Sequence, residues 1–149
     1  MNTWPQTVII VHRKEKPSKC TLQPLRGRAD MTFHSFPLFS PIELPNYVRL
    51  AVDAPILSPD DADRGLLLLD ASWKHVEAMN EAFINVPARS LPPIKTAYPR
   101  VSSLYEDPSA GLASIEALYV AYRQLGRDTD GLLDAYHWRN EFLDINGFA

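Results

Sequence analysis

The run "GLLLLD" at residues 65 to 70 constrains this chain more than any other stretch. Four consecutive leucines show no polar alternation, so a strand made of them must be covered on both faces, as in the middle of a mainly parallel sheet. The period then changes. From Ser72, the residues Trp73, Val76, Met79 or Asn80, and Phe83 recur at helical spacing, with Ser72 a candidate N-cap. A buried strand running into a helix is the repeating unit of an α/β layered fold.

Other segments agree with that class. "QTVIIVH" at 6 to 12 reads as a buried strand and "YVRLAV" at 47 to 52 as another. Asp107 and Pro108 have the character of an N-cap and first helical residue. The stripe Leu112, Ile115, Leu118, Tyr119, Tyr122 and Leu125 predicts a helix that Gly126 ends. Residues 129 to 145 predict one more. The 13 prolines gather at 37 to 59 and 87 to 108, which predicts long shaped loops. A chain of 149 residues fits one domain and hides roughly two-thirds of its unfolded surface.

Several chemistries are disfavoured. A single cysteine, Cys20, excludes an internal disulfide and multi-cysteine metal sites, and suits a reducing cytosol. No signal-like segment opens the chain and no apolar run approaches the ~20 residues of a membrane helix, so a cytoplasmic location is expected. Neither a glycine-rich phosphate loop nor G-x-S-x-G occurs. The histidines, His12, His34, His75 and His137, lack zinc spacing, so no metal is expected. Cys20 lies among lysines that would lower its pKa, yet without a base it reads as a bystander rather than a nucleophile. Net charge is -3, but Arg13, Lys14, Lys16, Lys19, Arg26 and Arg28 against Glu15 make residues 12 to 28 locally +5. A solvated loop or a phosphate backbone accounts for such a run.

Ligands of open parallel sheets bind outside the carboxyl ends of strands, and Asp70 ends the most apolar one. A carboxylate there holds an ammonium or takes a proton, with Trp73 as a stacking face; the plainer reading makes Asp70 a helix cap and Trp73 core.

Six phrases taken together resemble one family. "PSKCTLQPL" at 17 to 25, "LSP" at 57 to 59, "LLLLDASW" at 66 to 73, "RSLP" at 89 to 92, "LASIEAL" at 112 to 118 and "HWRNEFLDIN" at 137 to 146 follow the order seen in aminocarboxypropyltransferases of small-subunit ribosomal RNA. They are similar, less closely, to the DTW-domain enzymes that modify uridine in transfer RNA. The resemblance implies a SPOUT-like layered α/β fold with a mainly parallel sheet and a C-terminal trefoil knot. Residues 1 to 60 would form an N-terminal part with the basic loop, and 61 to 149 the knotted part.

The activity implied is transfer of the 3-amino-3-carboxypropyl group from S-adenosylmethionine to uridine or a modified pseudouridine in RNA, without a metal. By resemblance, Leu57, Pro59 and Trp73 would wall the adenine, and the backbone at Leu69 and Leu91 would hold ribose and base edges. Thr21 would reach the aminocarboxypropyl group, Asp70 would serve as anchor or base, and Ser114 would begin the helix closing the pocket. Arg13, Lys14, Lys16, Lys19, Arg26 and Arg28 would face RNA. The family's Ala-Asn-Pro-x-Asn-Tyr-Gly segment is here "TAYPRVSSLYED", where Tyr98 and Arg100 look more like the transfer-RNA branch. A noncatalytic RNA-binding ribosome-assembly factor, a transfer-RNA-directed aminocarboxypropyltransferase and a methyltransferase are the alternatives.

Overall fold

In the computed structural model, which describes residues 4–15, 20–71, 73–98 and 112–148, the chain is a mixed α/β structure. Its strands are β1 (Thr7–His12), β2 (Met31–Phe36), β3 (Tyr47–Leu50), β4 (Gly65–Asp70) and β5 (Ala88–Arg89). Helices α1 (Trp73–Ala82), α2 (Ser114–Gln124) and α3 (Arg139–Ile145) complete the described elements. The sheet order is β2-β1-β4-β3-β5 and every pairing is parallel.

The leucine run divides by parity, as a strand must. Leu66 and Leu68 join Ile9, Val11, Leu22, Leu57, Ile115, Leu118 and Phe142 in a core on the side of α2 and α3. Leu67 and Leu69 join Val8, Ile10, Met79 and Phe83 on the side of α1. Both faces are therefore covered, as the unalternating sequence requires. At the amino end Gly65 lies against the Tyr47 ring, 2.4 Å from where a Cβ would stand.

Three sequence expectations need correction. Leu112 and Ala113 are not helical, so α2 starts at Ser114 rather than after Asp107; Asp107 and Pro108 themselves lie outside the described residues. The helix expected over 129 to 145 is turns until Arg139, because Gly131 sits at φ +82, a left-handed conformation that interrupts a helix. β2 and β5 were not anticipated: "MTFHSF" is a half-exposed edge strand with mixed polarity, and β5 has only two residues. The N-cap assigned to Ser72 lies outside the described residues.

From β1 the chain leaves towards β2, whereas from β4 it leaves towards β5 on the opposite side. Between these neighbours lies the switch point of the sheet, where such folds open a crevice.

Candidate active site

Asp70 is the last residue of β4, in register with Val11, and shares the parity of Leu66 and Leu68. Its side chain consequently turns towards α2. It is 8% exposed, and each carboxylate oxygen accepts one hydrogen bond. Ser114 Oγ donates to Oδ1 at 2.6 Å, and the Cys20 thiol donates to Oδ2 at 2.9 Å. The strand end is thus joined to the first residue of α2 and to the connection that follows β1.

The start of α2 depends on side chains from elsewhere. Ala113, at the N-cap, has no side-chain oxygen to offer the N–H groups of the first turn. Thr21 supplies it instead: its Oγ1 accepts the Ile115 N–H at 3.1 Å, across 94 positions of sequence. Glu116 bonds back to the Ala113 N–H at 2.9 Å, the reciprocal half of a capping box. The fully buried Glu116 carboxylate also accepts from Thr96 Oγ1 at 2.6 Å, the Ala97 N–H at 2.9 Å and the Tyr136 hydroxyl at 2.9 Å. The loop at 95 to 98, α2 and the turn before α3 share that one anion.

Beside this lies a backbone shelf. The Leu57 N–H donates to the Ser90 carbonyl at 2.8 Å, the Ser90 N–H to the Pro55 carbonyl at 2.8 Å, and Gln124 from α2 donates to the Leu57 carbonyl at 2.8 Å. Leu91 follows, half-buried. Pro59 opens a tight turn whose Asp61 pairs with Arg89 at 3.3 Å and Arg64 at 3.7 Å. The Leu57 side chain is fully buried in the core and Leu69 faces the α1 side. Trp73 begins α1 immediately beyond Asp70.

Cys20 was read from sequence as a bystander near lysines, and the structure corrects its chemistry. Burial, then the hydrogen bond to Asp70, then the charge of Asp70 push the thiol up to about 12, so it remains a protonated donor. Its neighbour Thr21 was assigned to the site, and adjacency was the one signal for Cys20 in the sequence.

The described basic residues differ in their partners. Arg13 and Lys14 are exposed just beyond β1, at the carboxyl end of the sheet. Arg26 bonds Gln23 at 3.1 Å and stacks 4.6 Å over the Phe33 ring. Arg28 is forked onto Asp30 at 3.0 and 3.1 Å. Burial alone would raise Asp30, but the two Arg28 bonds outweigh it and hold the carboxyl below its ordinary range. The Asp30 carbonyl accepts from Thr7, the first residue of β1, so Arg28 lies at the amino end, roughly 20 Å away along a six-residue strand. Lys16 and Lys19 lie outside the described residues, as does Arg100.

On the opposite face of β1, His12 stacks on His75 of α1 with ring centroids 4.2 Å apart. Desolvation and then the neighbouring His75 charge lower the His12 pKa, with Lys14 and Arg13 adding to the effect. Among the described residues no group of three or more histidine, cysteine or acidic side chains is arranged to hold a metal, and no helix is long and apolar enough to cross a membrane.

No protein-family model matches the chain, and neither does any curated protein. A solved structure does: the SAM-dependent rRNA:acp-transferase Tsr3 from Vulcanisaeta distributa superposes with a TM-score of 0.69 at 27% identity, over 95% of this chain and 79% of that one. The resemblance carried by the motifs is thus matched by similarity to a ribosomal RNA aminocarboxypropyltransferase.

Proposed function

We propose that this chain transfers the 3-amino-3-carboxypropyl group of S-adenosylmethionine to a base nitrogen of uridine or a modified pseudouridine in RNA, ribosomal RNA being favoured over transfer RNA. The likeness to Tsr3 over 95% of the chain carries this reading. The site chemistry suits the donor. An amino-acid moiety presents an ammonium and a carboxylate, and here an anionic side chain stands beside the N-terminus of an 11-residue helix, joined to it through Ser114.

When bound, the donor would supply the carbon that the base nitrogen attacks as the C–S bond breaks, the electron pair staying on sulfur as methylthioadenosine and the ring N–H proton passing to solvent. The residues contribute orientation, because all three carbons on a sulfonium are activated and the one held in line is the one transferred. Leu57, Pro59 and Trp73 confine the adenine, and backbone at Leu69 and Leu91 binds its edges and ribose. Thr21 and Ser114 flank the amino-acid end, and Asp70 anchors the ammonium. Arg13 and Lys14 meet RNA phosphates beside the pocket, so that a looped-out base enters it.

The same reading gives the chain a C-terminal trefoil knot, a cytoplasmic location and a role in ribosomal RNA modification. These rest on the family resemblance and on the likeness to Tsr3.

The test is incubation with donor labelled in the carboxypropyl chain and with separated small-subunit and transfer RNA. Labelled ribosomal RNA with methylthioadenosine released is the expected result; S-adenosylhomocysteine would identify a methyltransferase, and no label despite donor binding would refute catalysis.

A further inference from the structure

We infer that Cys20 is a positioning residue: with Ser114 it holds the Asp70 carboxylate in one fixed orientation. This rests on the transferase reading and deepens it.

Both carboxylate oxygens are already taken, one by each donor, at 2.9 and 2.6 Å. The donors come from different parts of the chain, 50 and 44 positions from Asp70. Rotation about the carboxyl torsion would break both bonds at once. Cys20 itself cannot drift, since the next residue, Thr21, is fastened to the first turn of α2. No ion pair among the described residues involves Asp70. Among the described residues its hydrogen-bond partners are a thiol and a hydroxyl. A thiol that resists ionisation suits the task, because a thiolate at this distance would repel the carboxylate and donate nothing.

The test compares donor KM and kcat for wild type, Cys20→Ala and Cys20→Ser. Removing one of the two hydrogen-bond donors frees the carboxylate to turn, so the alanine variant should raise KM for S-adenosylmethionine about threefold to tenfold, with serine restoring most of it. An unchanged KM in folded Cys20→Ala, or no rescue by serine, would overturn the inference.

A second readout needs no activity. Cys20 is the only cysteine, so iodoacetamide reports on it alone. Alkylation at pH 8 should be slow in wild type and at least tenfold faster in Asp70→Asn, which relieves the charge that suppresses the thiolate. Equal rates would overturn the bond itself. Asp70-dependent alkylation in a protein that transfers nothing would support the clamp while overturning the transferase reading.

Discussion

Replacing Glu116 by glutamine preserves shape while removing one acceptor, and the cost can be worked from the four donors around it. Oε1 receives the Ala113 N–H and the Thr96 hydroxyl; Oε2 receives the Ala97 N–H and the Tyr136 hydroxyl. Whichever oxygen becomes the amide nitrogen, one hydroxyl can rotate to accept from it, but one backbone N–H cannot turn away. That N–H becomes an unsatisfied donor in a site with no exposure, at a cost of about 1–3 kcal/mol. The surviving bonds also lose their charge assistance, bringing the total to roughly 2–4 kcal/mol. For a chain of this length the melting temperature should fall by about 5–12 °C. Urea unfolding of both proteins, with midpoints compared at equal slope, measures it. A loss under about 0.5 kcal/mol would refute the claim that one carboxylate ties three segments together.

Other consequences follow from the site and its surroundings. Neutralising exposed Lys14 should reduce the salt slope of RNA binding by about one unit, whereas Arg28→Gln, whose charge is already forked onto Asp30, should leave it unchanged; the reverse pattern would move the RNA surface to the other end of the sheet. Gly65→Ala places a methyl on the Tyr47 ring and should cost about 1–3 kcal/mol in thermal or chemical unfolding, with a neutral result contradicting the close approach. His12 has a folded pKa below its unfolded value of 6.5, so the unfolded chain takes the proton first. Its contribution to stability is present above about pH 6.5 and is lost as pH falls towards the folded value. Unfolding midpoints of His12→Phe should show less decline than wild type across that window.

Much of the sheet was legible because its central strands are apolar without interruption. "TVIIVH" and "GLLLLD" have no alternative but burial, and the helical period after Trp73 follows directly. The edge was harder to read. In "MTFHSF" only Met31 is buried, and β5 is fixed by pairing with β3 rather than by its own two residues. The stripe from Leu112 to Leu125 was correctly apolar, but its start was placed at a proline with good capping chemistry, whereas the cap in use is Thr21. Periodicity cannot see a hydroxyl brought from 94 residues away. The same holds for Cys20, whose partner is 50 positions distant. Asp70 was legible for a different reason: a carboxylate closing an apolar strand marks where the sheet ends and solvent chemistry begins. The basic cluster was legible as charge, but the Arg28–Asp30 fork divides it by pairing that no count of charges contains.

The cap that Thr21 gives to α2 also bears on synthesis. Contacts spanning about a hundred positions close late, since the loop entropy is spent before any contact repays it. A nascent chain still lacking α2 has its Asp70 and its Cys20, but no Ser114 to complete the pair and no helix for Thr21 to finish. The cluster around Asp70 is therefore complete only when α2 has emerged and docked, and a chain stopped short of it would be left with the apolar face of its sheet uncovered, a target for quality control.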